Sequence, residues 1–112
     1  MSYNITSTPQ VFTTAQSSFT INKSIRSGAT FIGQTASNHV YFYLPLISDI
    51  QPGTQYTFKK KGGSYNVYFS PNASNSIDSA ANGVAGAITG AWDSYTIVCD
   101  ESQWYTIAYG QS

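Results

Sequence analysis

The sequence predicts an all-β domain: a single small antiparallel β-sandwich or jelly-roll-like barrel of about seven or eight short strands. Three observations indicate this class. Short apolar and aromatic stretches recur along the 112 residues, and turn dipeptides containing Gly or Pro separate them. The one alanine-rich stretch, Ala80–Ala91, carries three glycines that oppose a stable helix. A chain of this length is expected to form one domain with its own core.

The first third of the chain predicts an arm followed by two strands. Residues 1–18 are rich in Ser, Thr, Asn and Gln, which is typical of an extended N-terminal arm or one edge strand. The single all-β domain is therefore expected to span residues 19–112. Apolar residues alternate with polar ones from Phe19 to Ile25, a pattern that predicts a half-buried strand. Ser27-Gly28 then predicts a turn, and the next strand covers Thr30–Gln34.

The stretch from His39 to Leu44 predicts a strand that is covered on both faces. Because side chains alternate along a strand, Phe42 faces one side, and Tyr41 and Tyr43 face the other. Aromatic residues on the second face favour a cover over it, which in a chain this short another subunit can provide. Pro45 ends the strand because it cannot donate a backbone hydrogen bond.

The middle of the chain predicts a tight turn and a hairpin. Pro52-Gly53 is typical of a type II turn. Two strand-like stretches, Tyr56–Lys60 and Tyr65–Ser70, flank Gly62-Gly63, and this arrangement predicts a β-hairpin.

The last third predicts a loop and a second hairpin. Within Ala80–Ala91 we expect a loop or a short edge strand around Val84–Thr89. Tyr95–Asp100 and Trp104–Tyr109 are expected to pair as the final hairpin, which turns at Glu101-Ser102.

The composition excludes several classes of function. Charged residues make up 9% of the chain and the formal net charge is zero, against about 25% charged residues in an average soluble domain. Five Lys and Arg offset by five Asp and Glu disfavour nucleic-acid binding by phosphate neutralisation. No secretory signal and no apolar run near the roughly 20 residues of a membrane span are visible, so no membrane insertion is expected. Cys99 is the only cysteine and is expected to be a buried free thiol.

The residue types that carry catalysis are scarce. A catalytic Ser or Cys needs a base, and His39 is the only histidine that could serve as one. Its position at the start of a strand favours a structural role. A lone His and a lone Cys cannot form a zinc site of the usual kind. Asp49, Asp93 and Asp100 each lie beside a turn, where carboxylates cap backbone donors. The sequence therefore predicts no catalytic residue, no cofactor, no metal and no enzyme.

Aromatic and basic residues supply the candidate contacts. Flat amphipathic rings can stack on the apolar faces of sugars, and lysines can meet a charged receptor. The candidate ligand or receptor contacts are Trp92, Tyr109, Lys59 and Lys61. For the lysine run 59–61, the alternative interpretation is an edge strand guarded against aggregation. Trp104 is expected in the core, and Trp92 is left open between core, interface and ligand site.

The ordered set of motifs from residue 39 to residue 109 resembles a known viral module. In chain order these motifs are Leu44-Pro45, Pro52-Gly53-Thr54, Tyr56–Lys60, Val67–Pro71, Ile77-Asp78, Trp92-Asp93-Ser94, Tyr95–Cys99 and Trp104-Tyr105. This order is similar to that of the C-terminal β-module of bacteriophage tail fibres and of other viral fibre, spike or capsid-surface proteins. The last turn departs from the module, because Glu101-Ser102 replaces its usual Gly-Thr or Gly-Asn.

The resemblance implies a non-enzymatic structural protein of a virion, made in the host cytoplasm. It implies a homotrimeric fibre or spike tip, or a capsid- or tail-decorating module, that contacts other virion proteins. The candidate subunit interface comprises Tyr41, Phe42, Tyr43, Tyr65, Tyr68 and Phe69. The alternative is a carbohydrate- or receptor-binding module whose exposed Tyr and Trp side chains contact a cell-surface glycan.

Overall fold

The computed structural model describes residues 10–72, 74–78 and 86–110. In these residues nine strands and a single-turn 3₁₀ helix (Ile47–Asp49) form two facing sheets. Sheet A has the strand order β1 (Val11–Thr14), β3 (Ala29–Gln34), β5 (Gln55–Lys61), β8 (Ser94–Cys99) and β9 (Trp104–Gly110). Sheet B has the order β2 (Ser18–Thr20), β4 (Val40–Tyr43), β6 (Val67–Ser70) and β7 (Gly86–Ile88). The predicted all-β sandwich is confirmed.

The first six strands wind as a coil of three turns. Each turn places one strand in sheet A and the next in sheet B, so that β1, β3 and β5 are parallel neighbours and β2, β4 and β6 are parallel neighbours. Three short links, residues 15–17, 35–39 and 62–66, carry the chain from sheet A to sheet B. Because all three links follow parallel strands, they lie at the same end of the sandwich, which we call the link end.

Two columns of phenylalanine fill the space between the sheets. In sheet A the register places Phe12, Phe31 and Phe58 side by side, and in sheet B it aligns Phe19, Phe42 and Phe69. The columns also touch across the sandwich, where Phe58 and Phe69 stack with centroids 4.7 Å apart and ring planes within 3°. Four of these rings are buried, and a fully buried ring of this size contributes roughly 1.5–3 kcal/mol, whereas Phe12 and Phe19 are half-buried against them.

The last three strands pair in the antiparallel sense. β7 joins β6, β8 joins β5, and β9 joins β8 with a bulge at Ile107, where the register shifts by one residue. The predicted turn at Glu101-Ser102 is confirmed: Asp100 Oδ1 accepts hydrogen bonds from the backbone N–H groups of Ser102 (2.7 Å) and Gln103 (2.9 Å). These bonds and the Tyr105 hydroxyl (2.8 Å) hold the pKa of Asp100 well below its usual range.

Several details differ from the sequence prediction. The sheets are mixed rather than antiparallel, because the coil pairs strands of the same direction. Gly62-Gly63 does not turn a hairpin: β5 and β6 belong to different sheets, and the two glycines link them. β5 is an interior strand of sheet A, so the edge-guard interpretation of the lysine run is wrong. Within the predicted arm or edge strand of residues 1–18, residues 11–14 form an edge strand of sheet A, residues 15–17 link it to β2, and residues 1–9 lie outside the described residues.

Other predictions about the core are confirmed. Trp104 and Cys99 are buried, and β4 ends at Tyr43, shortly before Pro45. Of the two alternatives for Val84–Thr89, a loop or a short edge strand, the described residues show the strand: β7 covers Gly86–Ile88 at the edge of sheet B. Tyr56 is also fully buried; its hydroxyl donates to the Ile25 carbonyl (3.1 Å), and burial raises the pKa of Tyr56 to about 12.

Candidate functional site

The outer side of sheet B carries a cluster of aromatic side chains, which we call the tyrosine face. It comprises His39, Tyr41, Tyr43, Tyr65 and Tyr68. Tyr41 and Tyr68 are register partners in β4 and β6, and their rings stack with centroids 4.8 Å apart. Tyr43 lies parallel to Tyr41 at 6.4 Å. Tyr43 and Tyr65 are exposed, with 41% and 40% of their surface accessible.

The tyrosine face contains four of the six residues of the predicted interface. The other two, Phe42 and Phe69, have no more than 1% of their surface accessible, because the alternation along β4 and β6 points them between the sheets. They belong to the core and a partner cannot reach them, so their assignment to an interface is wrong. The tyrosines share one surface because β4 and β6 are adjacent parallel strands, a pairing that the sequence prediction did not contain.

His39 was not predicted to belong to this surface. Its Nδ1 accepts a hydrogen bond from the backbone N–H of Asn66 (2.9 Å), which fixes the ring at the start of β4. The ring then lies edge-on to Tyr65, at 5.1 Å between centroids, and to Tyr68, at 5.4 Å. This geometry agrees with the structural role expected for the histidine and adds it to the aromatic cluster.

A second exposed aromatic lies at the link end of sheet A. Trp92 has 48% of its surface accessible and adopts a left-handed backbone conformation, with φ of 70°. Its N–H donates to the Lys60 carbonyl (2.8 Å), and its carbonyl accepts from Lys59 Nζ (2.6 Å). A non-glycine residue in this conformation costs of order 1–3 kcal/mol and persists only where its surroundings impose it. The backbone that carries the exposed indole is therefore fixed by these hydrogen bonds.

Tyr109 is connected to the same turn through Asp93. Asp93 is buried, and its Oδ2 accepts a hydrogen bond from the Tyr109 hydroxyl (3.1 Å). This bond raises the pKa of Tyr109. The ring of Tyr109 packs on Tyr95 with centroids 4.6 Å apart, while half of its surface stays exposed. The structure thus brings two of the predicted ligand contacts, Trp92 and Tyr109, to neighbouring positions.

The three lysines of β5 have three different environments. Lys59 binds the Trp92 carbonyl, and Lys60 is buried with its Nζ on the Gly63 carbonyl (2.7 Å). Lys61 is exposed and donates no hydrogen bond to any residue that the structure describes. Of the two predicted lysine contacts, Lys61 is the more exposed, and Lys59 already uses one of its three donors for the Trp92 carbonyl.

Two surface clefts were not predicted from the sequence. The smaller, of about 270 Å³, lies at the link end and is lined by Ala15, Gln34, Thr35, Ala36, Ser37 and Lys61. The larger, of about 430 Å³, lies at the opposite end between residues 23–27 and 48–54. No sequence pattern marks either cleft, because each is formed by links that the coil brings together from distant parts of the chain.

The carboxylates and the thiol have structural surroundings. Asp78 Oδ1 accepts from the Thr106 N–H (2.9 Å), which ties the loop before it to β9. Burial raises the pKa of the Cys99 thiol. Within the described residues, no three His, Cys, Asp or Glu side chains are arranged to hold a metal ion. None of the helical segments described is long and apolar enough to cross a membrane.

No protein-family model and no curated protein sequence matches the chain.

Proposed function

We propose that this protein is a non-enzymatic structural module of a virion that assembles as a homotrimer through its tyrosine face. The module would form a fibre or spike tip, or decorate a capsid or tail, where it also contacts other virion proteins. The observation that carries the self-association is the exposed aromatic cluster on sheet B. The resemblance of residues 39–109 to viral fibre modules supports the setting and the trimeric state.

The chemistry of the tyrosine face suits a protein partner. Tyr is enriched in the buried centres of protein interfaces and charged residues are depleted there, and no charged side chain belongs to the cluster. Tyr41 uses one face of its ring on Tyr68, at 4.8 Å, which leaves less ring surface for a sugar. A tyrosine also loses little side-chain freedom when it is covered, because it has only two rotatable side-chain angles.

The test is the native mass across a dilution series. We expect three times the 12.1 kDa chain mass for the wild-type protein, and dissociation in the double variant Tyr43→Ser/Tyr65→Ser. The matched control is Val11→Ser, which removes an apolar side chain exposed on sheet A. A wild-type monomer at every concentration would overturn the proposal. A trimer that the tyrosine variant leaves intact would place the interface elsewhere.

The second candidate function is carbohydrate or receptor binding, and the geometry of Trp92 favours it. An exposed indole on a strained backbone that hydrogen bonds hold in place is typical of a recognition residue. Titration with a glycan panel tests this function, because Trp92 is exposed whereas Trp104 is buried. We expect a change in tryptophan fluorescence on binding that is lost in Trp92→Phe. A panel that leaves the fluorescence unchanged counts against this function.

A further inference from the structure

The small cleft at the link end has a lining suited to an anionic sugar. Among the described residues that line it, Lys61 is the one cation and none is a carboxylate. Gln34 and Ser37 add an amide and a hydroxyl to the lining, while the small side chains of Ala15 and Ala36 do not fill the cleft. Pockets for drug-sized ligands have volumes of about 300–1,000 Å³, so a cleft of about 270 Å³ corresponds to a single sugar ring.

The wall of the cleft is fixed by hydrogen bonds. Thr35 Oγ1 donates to the Gly62 carbonyl (2.6 Å), and the Tyr65 N–H donates to the Thr35 carbonyl (3.1 Å). These bonds join the second link of the coil to the third. A ligand in the cleft therefore meets an ordered surface and does not have to order it on binding.

Trp92 does not line this cleft but lies close to Lys61, which does. The position that a Cβ would take on Gly62 is 3.9 Å from Trp92 Cζ2, so the indole reaches the residue that follows Lys61. Because Gly62 has no side chain, nothing from that residue stands between the cation and the ring. The lysine run contains three of the five basic residues of the chain, and the Asp93 carboxylate next to Trp92 offsets part of the positive charge that these lysines give this corner.

We propose that the cleft and Trp92 together form a binding site for a carboxylated pyranose, that is, an acidic sugar residue of a glycan. Lys61 Nζ pairs with the sugar carboxylate, and Gln34 and Ser37 bind its hydroxyls. The indole stacks on the apolar face of the sugar ring. This inference rests on the second candidate function and specifies the class of sugar that would be bound.

The experiment compares D-glucuronate with D-glucose, which lacks the carboxylate, and uses inorganic sulfate as an anion probe. Binding is measured by calorimetry and by Trp92 fluorescence, with monosaccharide Kd values expected on the order of millimolar. We expect glucuronate to bind at least tenfold more tightly than glucose. The preference is expected to weaken with added salt, because salt screens an exposed charge pair.

Variants separate the roles of the two contacts. Lys61→Gln is expected to remove the preference for glucuronate. Trp92→Ala is expected to lower the affinity for both sugars about tenfold, because it removes the ring on which the sugar stacks. Lys23→Gln is the matched control, because Lys23 is an exposed lysine of the cleft at the opposite end. Thermal melting of each variant confirms that the fold is retained.

Each contrary outcome identifies what has failed. Equal affinities for glucose and glucuronate, with no effect of Lys61→Gln, would overturn the acidic class and leave sugar binding at Trp92 in place. Sulfate binding as tightly as glucuronate would indicate a simple anion site and overturn the proposal. Equal losses in Lys61→Gln and Lys23→Gln would indicate binding by overall charge and overturn it too. Absence of binding by both glucuronate and glucose would overturn this inference, whereas the second candidate function is overturned only if the glycan panel also leaves the Trp92 fluorescence unchanged.

Discussion

Gly33 lies at a point of close approach between the two sheets, and Gly33→Ala tests this packing. A Cβ at Gly33 would lie 2.5 Å from Val67 Cγ2 and 3.2 Å from Val40 Cβ. Both valines are fully buried and belong to sheet B, whereas Gly33 belongs to sheet A. Overpacking of a closed core costs typically 1–3 kcal/mol. For a domain near 100 residues this corresponds to a melting temperature lowered by roughly 4–12 °C.

The sharper measurement is a double-mutant cycle with Val67→Ala. Alone, Val67→Ala removes two buried methyl groups at about 0.8 kcal/mol each and leaves a cavity, for a cost of about 2–3 kcal/mol. In the double variant the new methyl group at residue 33 enters the space that Val67 vacates. We therefore expect the double variant to lose at least ~1 kcal/mol less unfolding free energy than the sum of the two single-variant losses, within the range seen for residues in contact.

The assay is urea unfolding, with the slope of the transition compared across all variants. Gly33→Ala combined with Cys99→Ala is the control, because Cys99 lies at the far end of sheet A and its effect should add within about 0.5 kcal/mol. Additive costs for Gly33→Ala and Val67→Ala would refute the close approach of the sheets at this point. A wild-type stability for Gly33→Ala alone would refute it as well.

Three further predictions concern titratable groups. Because hydrogen bonds lower the folded-state pKa of Asp100, its stabilising effect is present above the unfolded pKa of about 3.9 and is lost as the pH falls below it. Asp100→Asn should therefore flatten the acid side of a plot of urea midpoint against pH, whereas the control Glu101→Gln should not. The raised pKa of Tyr56 means that folding stability falls as the pH rises from about 10 to about 12, and Tyr56→Phe should reduce this fall in an alkaline unfolding series. Cys99, buried and with a raised pKa, should react with a thiol reagent only at the rate of unfolding; fast labelling of the native protein would contradict its placement.

Local chemistry predicted some elements of this fold because the responsible residues are close in sequence. The alternation of Tyr41, Phe42 and Tyr43 gave the two faces of β4 correctly. Asp100 lies within three residues of the donors it caps, so the last turn was predictable. Strand pairing in the coil was not, because each strand pairs with one that is two strands away along the chain, and no short-range pattern encodes that partner.

The glycine pair shows why the hairpin prediction failed. Gly62 and Gly63 both have positive φ values, 49° and 90°, and a hairpin turn of type I′ requires the same feature. What distinguishes the link is a contact with the previous turn of the coil: a Cβ on Gly63 would lie 2.5 Å from the Thr35 carbonyl oxygen. The second glycine is thus required by a neighbouring backbone that the local sequence does not reveal.

The same long-range contacts explain why the sequence supplied only parts of the candidate site. Trp92 and Lys61 were identified from their residue types, but their common location depends on β8 running antiparallel to β5 and starting where β5 ends. The cleft that Lys61 lines is also lined by residues 35–37 of the second link, which the register of β3 with β5 places next to Lys61. A ligand site formed in this way is stabilised by the hydrogen bonds that stack one link on the next. The stability of the coil and the geometry of the site therefore depend on the same backbone contacts, and a substitution such as Gly63→Ala is expected to disturb both.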